Sequence, residues 1–162
     1  MTKRITISTL DAMKASGDKF VMITAYDATF ARLASEAGAE TILVGDSLGM
    51  VLQGHETTIP VSLDAMTYHT ECVARARPHS LIVADLPFMS FSNADDTLHA
   101  STRLMQAGAQ MIKLEGGTWL SDSIHRLVER GVPVCAHLGL TPQSVNVFGG
   151  YRVQGRTPKE AV

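Results

Sequence analysis

Apolar positions recur with two alternating periods along this chain. Short unbroken runs of β-branched and aliphatic residues have the length and composition of buried strands, and between them apolar residues return every three to four positions, as on one face of a helix. The first run is Phe20–Ala25, the second Thr41–Val44, the third Leu81–Ala84, the fourth Met111–Glu115 and the fifth Val132–Leu138. The first intervening helix carries Phe30, Leu33, Ala34 and Ala37 on one face and closes at Gly38. The second starts at the cap Ser62 and runs to about Ala76, where Arg77-Pro78 stops it. In the third, capped by Asn93, Leu98 and Met105 face the core with Leu104 beside them. The fourth is capped by Ser121 and carries Ile124, Leu127 and Val128 up to Gly131. Ahead of them all, Ser8 with Asp11 resembles a capping box, and Leu10 and Met13 give a short N-terminal helix ending at Gly17.

Strands alternating with helices demand a parallel α/β sheet with right-handed crossovers. The expected strands end on polar residues one after another: Asp27, Asp46, Asp85, Glu115 and His137. Strands converging in a ring on one mouth produce that pattern, whereas a doubly wound sheet gathers its polar groups at one switch point. The pattern therefore predicts a (β/α)8 barrel. Such a barrel takes roughly 200 residues or more. Only about the first five βα units are legible in 162 residues, and Thr157 with Glu160 around Pro158 reads as a helix just beginning. The expectation is a single domain over residues 1–162, the N-terminal part of a C-terminally truncated barrel.

Composition narrows the function classes. Hydrophobic content of 45%, charged content of 19% and a net charge of −2 describe an ordinary folded domain, with no basic cluster to suggest nucleic acid. The longest apolar stretches are strand-sized, which argues against a transmembrane helix, and no signal peptide is visible. Cys72 and Cys135 have no metal-ligand spacing and read as reduced thiols of a cytoplasmic protein.

Chemistry concentrates at the strand tips. Asp46 lies in the glycine-broken stretch Gly45-Asp46-Ser47-Leu48-Gly49-Met50-Val51-Leu52-Gln53-Gly54. Three carboxylates on neighbouring strands (Asp46, Asp85, Glu115) would repel one another unless a cation lay between them, and Mg²⁺ suits an all-oxygen donor set. The same acids also read as turn or N-cap carboxylates. Lys113 points to the same face as Glu115 and is costly to bury unpaired, so it either neutralises an acid or holds an anionic substrate. His137 reads as a ligand, a donor or a satisfied core histidine. The loop Phe148–Arg156, with three glycines and two arginines, reads as a flap.

Taken together, the segments Thr24-Ala25-Tyr26-Asp27, Gly45–Gly54, Ala84-Asp85-Leu86-Pro87-Phe88, Lys113-Leu114-Glu115-Gly116-Gly117, His137–Gln143 and Phe148-Gly149-Gly150-Tyr151 resemble the ketopantoate hydroxymethyltransferase family, in order and over essentially the whole chain. The resemblance implies a barrel enzyme that transfers a hydroxymethyl group from 5,10-methylenetetrahydrofolate to 3-methyl-2-oxobutanoate. The product would be 2-dehydropantoate, on the route to pantothenate and coenzyme A. It implies Mg²⁺ on Asp46, Asp85 and Glu115, substrate contacts from Asp46, Ser47, Asp85 and Lys113, and a pocket lined by Tyr26 and His137. Lys113 and His137 are then the catalytic candidates, and a large cytoplasmic homo-oligomer without membrane or nucleic-acid partners is implied. The proton acceptor of the family is a Glu beyond Val162. Two alternatives stand beside this reading. One is a Mg²⁺-dependent lyase or mutase of the phosphoenolpyruvate/isocitrate lyase kind, which would be expected to carry a catalytic Cys in a loop. The other is an inactive shortened paralogue that binds the full-length enzyme.

Overall fold

The computed structural model describes residues 4–157. The capping box expected at Thr157 and Glu160 extends outside the described residues. Five parallel strands form one sheet in sequential order: β1 (Met22–Thr24), β2 (Thr41–Val44), β3 (Leu81–Asp85), β4 (Met111–Glu115) and β5 (Val134–His137). Each is followed by helix: α2 (Ala28–Glu36), α3 (Leu48–Val51) with α4 (Leu63–Arg75), α5 (Ala94–Gln106), α6 (Ser121–Glu129) and α7 (Val145–Phe148), and α1 (Ile7–Ser16) precedes them. Sequential parallel order with a helix after every strand is the arrangement of an arc of a (β/α)8 barrel, as the polar strand tips predict. None of the described helices is long and apolar enough to cross a membrane.

Register decides what each face carries. Ile42, Val44, Ile82, Ala84, Ile112 and Leu114 point outward and join Ala31, Met66, Val73, Ala100 and Leu104 of the helices in one buried cluster. Burial of this aliphatic layer is what holds helices to sheet. The opposite, concave face carries Leu43, Val83, Asp85, Lys113, Glu115 and His137. Asp85 is paired in register with Lys113, and Glu115 with His137. β3 is buried along its whole length, as the middle strand should be. β1 pairs only with β2 among the described residues and is exposed throughout.

Several local expectations need correction. The α1 capping box is formed by Thr6 and Thr9, not Ser8 and Asp11. Ser121 does not cap α6, and its hydroxyl instead donates to the Thr118 carbonyl in the preceding turn. The buried stripe of α5 is Thr97, Ala100, Ser101 and Leu104, with Leu98 and Met105 only partly covered. On α2 it is Ala31 and Ala34, while Phe30 and Leu33 are 65% and 53% exposed. That helix packs on β2 and α4 through its small alanines, which leaves Phe30 and Leu33 on its uncovered side. Ala37 is exposed as well, and Val128 stands out from α6.

Candidate active site

The C-terminal ends of β2, β3, β4 and β5 enclose a cavity of about 350 Å³ lined by Leu43, Asp46, Ser47, Met50, Thr58, Asp85, Lys113, Glu115, His137, Pro142 and Tyr151. Every residue singled out for metal, substrate or catalysis lines it except Tyr26, which enters through its phenol, 2.9 Å from Ser47 Oγ. The backbone carbonyl of Tyr26 is in turn held by His69 Nδ1 at 2.8 Å. Asp27 is not part of the site. Its Oδ1 accepts the backbone N–H groups of Thr29 and Phe30 and caps α2.

Strand register and one glycine set the geometry. Lys113 Nζ donates to Asp85 Oδ1 at 2.6 Å, and the pair is nearly enclosed, with side-chain exposures of 16% and 6%. Asp85 Oδ2 accepts the Asp46 backbone N–H at 3.2 Å. Gly45 makes room for this contact. A Cβ there would stand 2.8 Å from Ser47 Oγ and 3.4 Å from Asp85 Oδ2. His137 Nδ1 stands 3.3 Å from Glu115 Oε2 but makes no hydrogen bond of regular geometry, so it is a buried polar atom without a formal partner. Thr58 Oγ1 is another such atom. It lies close enough to favour the Asp46 anion without a regular hydrogen bond.

Gln143 had no role in the strand-tip reading, yet it ties the site together. Its side-chain Nε2 donates to Asp46 Oδ2 at 2.8 Å and to the Leu86 carbonyl at 2.9 Å. Its backbone N–H donates to Glu115 Oε1 at 2.6 Å. The only sequence signal was its place in the His137–Gln143 segment that resembles the family.

The electrostatics are those of an acid-rich pocket with one well-placed cation. Burial pushes the Asp85 carboxyl up to about 6; Lys113 pulls it down, and the neighbouring Asp46 charge adds to the rise. Burial also raises Asp46 and Glu115 above the ordinary carboxylate range, against the hydrogen bonds from Gln143. Burial alone would lower Lys113, but the charge and hydrogen bond of Asp85 outweigh it and the ammonium is held above its usual value. Near neutral pH the Lys113–Asp85 pair is therefore charged, and two further acids, Asp46 and Glu115, share the pocket with this single ammonium.

Hard oxygen donors in surplus suit a divalent cation in their chemistry. As placed, their oxygens are engaged by Lys113, Gln143 and the Asp46 amide. Among the described residues, no three His, Cys, Asp or Glu side chains form a ready metal-holding group. Neither cysteine lies in a loop: Cys72 is on α4 and Cys135 on β5, where burial raises its thiol and leaves it a poor nucleophile.

Comparison with known proteins completes the picture. Among solved structures, a phosphonopyruvate hydrolase determined with oxalate and Mg²⁺ matches with a TM-score of 0.68 at 18% identity, over 86% of this chain and 53% of that one. A 2,3-dimethylmalate lyase of the phosphoenolpyruvate mutase/isocitrate lyase superfamily matches with a TM-score of 0.62 at 16% identity, over 88% and 54%. At these identities the likeness establishes the shared fold. Sequence similarity is far closer elsewhere. The chain is 60% identical to the 3-methyl-2-oxobutanoate hydroxymethyltransferase of Marinobacter nauticus over 97% of its own length and 60% of that protein's. It is 57% identical to the enzyme of the same name from Erwinia tasmaniensis over 98% and 60%. The chain thus spans about 60% of the length of these relatives. The family model described as ketopantoate hydroxymethyltransferase matches residues 4–162. The chain belongs to the ketopantoate hydroxymethyltransferase family.

Proposed function

We propose that this chain supplies the oxo-acid half of a hydroxymethyl transfer. It binds 3-methyl-2-oxobutanoate in the Asp46–Asp85–Lys113 cavity and stabilises the enolate that accepts a one-carbon unit from 5,10-methylenetetrahydrofolate. The observation that carries this reading is the enclosed Lys113–Asp85 pair, 2.6 Å apart on the floor of a carboxylate-lined cavity. When C3 of the oxo acid loses its proton, the electron pair moves into the C2 carbonyl and negative charge appears on oxygen. A lysine fixed there, its side chain only 16% exposed, stabilises that charge more than a fully solvated one would. Ser47 Oγ, oriented by the Tyr26 phenol, is a donor for the substrate carboxylate. In the ligand set that the family resemblance implies, Mg²⁺ on Asp46, Asp85 and Glu115 would supply Lewis acidity at the oxo-acid carbonyl, and Lys113 and Gln143 would have to release the oxygens they now hold. His137, close to Glu115, stands ready to pass a proton at the mouth. Water supplies the hydroxyl oxygen of the product, as the one-carbon unit exchanges two bonds to nitrogen for one to carbon and one to oxygen. Proton removal from C3 belongs, in this reading, to a Glu in the part of the family's length that the chain does not span.

Calorimetric titration with 3-methyl-2-oxobutanoate in the presence of Mg²⁺ tests the binding half. Lys113→Met should weaken binding by about tenfold or more, the loss of one charge-assisted hydrogen bond. Equal affinity in a variant that still melts cooperatively would remove Lys113 from the substrate site and this reading with it.

A further inference from the structure

A second cleft, of about 100 Å³, opens beside the acid cavity and shares Glu115 with it as a wall. Its other walls are Phe88, Met89, Phe91 and Ser92 from the segment after β3, Trp119 from the turn after β4, and Gln143. Phe91 is buried and lies against Trp119 with ring centroids 6.1 Å apart and planes within 10°. Trp119 itself is 61% exposed and Met89 60%, an unusual amount of large apolar surface to leave beside a polar site. Two backbone features hold the walls in place. Gly116 underlies the indole, and a Cβ there would come within 2.9 Å of Trp119 Cζ2. Met89 is held at φ +60, a conformation L-residues seldom take.

We propose that this cleft is the docking slot for the flat pterin ring of the folate co-substrate, stacked on Trp119. The assignment rests on the reading given under Proposed function and deepens it. Three observations favour this occupant. The slot offers a flat aromatic surface whose plane is fixed by Phe91. No Lys or Arg lines it, so it does not suit an acidic head group, whereas the Ser92 hydroxyl and the edge of the Glu115 carboxylate offer oxygen acceptors to a ring rich in N–H donors. It also adjoins the acid cavity across their shared Glu115 wall, so a ring seated here brings its one-carbon unit toward the bound oxo acid.

Trp119 is the only tryptophan of the chain, so its emission reports on the slot directly. Tetrahydrofolate should quench it saturably, and p-aminobenzoylglutamate, which lacks the ring, should not. By equilibrium dialysis, Trp119→Ala should weaken tetrahydrofolate binding by about tenfold or more while Trp119→Phe keeps most of the affinity, as loss and retention of stacking require. Cooperative melting of both variants shows that they fold. Unchanged affinity in Trp119→Ala would overturn the slot. So would unchanged emission in a chain that binds 3-methyl-2-oxobutanoate with Mg²⁺, as would quenching by p-aminobenzoylglutamate alone. Saturable tetrahydrofolate quenching without oxo-acid binding would uphold the slot and sink the acid-cavity reading instead.

Discussion

Asp85 carries the main electrostatic tension of the site, because one residue serves both as partner of Lys113 and as acceptor for the Asp46 amide. Its carboxyl titrates at about 6 in the folded chain, above the ordinary value of 3.8 that it has when unfolded. Between those two pH values the folded state holds the proton more tightly, so stability declines as pH rises through the window and the loss is complete above about 6. Two pH units of displacement correspond to about 3 kcal/mol. Asp46 and Glu115, also raised, act with the same sign, and Lys113, raised above 10.5, withdraws its contribution only in more alkaline solution. Urea denaturation of the metal-free chain between pH 4 and 7 should show this decline. Asp85→Asn should flatten it, and an unchanged slope in that variant would place the titration elsewhere. If Mg²⁺ binds among the three acids that surround Lys113, it should raise the melting temperature near neutral pH, because a ligand that binds only the folded state stabilises it.

Among the elements, the strands were far more legible than the residues that link them. Parallel strands announce themselves by continuous apolar runs, and side-chain alternation put Lys113 and Glu115 on one face before any contact was known. The pairing of Asp85 with Lys113 depends on register, which no single strand reveals. Gln143 was hidden for a stronger reason: it lies 28 residues from Glu115 and 97 from Asp46, and only closure of the fold brings the three together. The helix faces failed in a patterned way. α2 looks amphipathic around Phe30 and Leu33, but a stripe is buried only where a neighbour covers it, and its neighbours reach Ala31 and Ala34. Gln143→Leu tests the linking role. Removing the amide strips Asp46 and the Leu86 carbonyl of a buried donor, and should cost about 1–3 kcal/mol in urea denaturation. It should also raise the Asp46 carboxyl further, since the Gln143 hydrogen bond now lowers it. Wild-type stability would mean that the tether does not form.

At the scale of the whole molecule, one face of the sheet is finished and the other carries the chemistry. The outer face is sealed by helices through Ile42, Ile82 and Ile112, each fully buried. The inner face keeps its charged residues at the strand ends, and the β1 margin leaves Phe20, Val21, Met22 and Ile23 each about two-fifths exposed or more. The acid cavity is therefore anchored mainly in the best-packed strands, β2 to β4, with Tyr26 after β1 and His137 of β5 joining it from either side. Under the function proposed above, two tasks are separate: oxo-acid binding with enolate stabilisation falls to this chain, and proton abstraction to a group outside it. Deuterium exchange at C3 of 3-methyl-2-oxobutanoate with Mg²⁺, and without any folate, isolates that claim. The comparison is between this chain and a version extended past Val162 with the remaining segment of its Marinobacter nauticus relative. The extended chain should exchange, Lys113→Met within it should slow exchange by about a hundredfold, and the 162-residue chain alone should not exchange. Equally fast exchange by the 162-residue chain would contradict the account and assign the proton to a residue already present, His137 first.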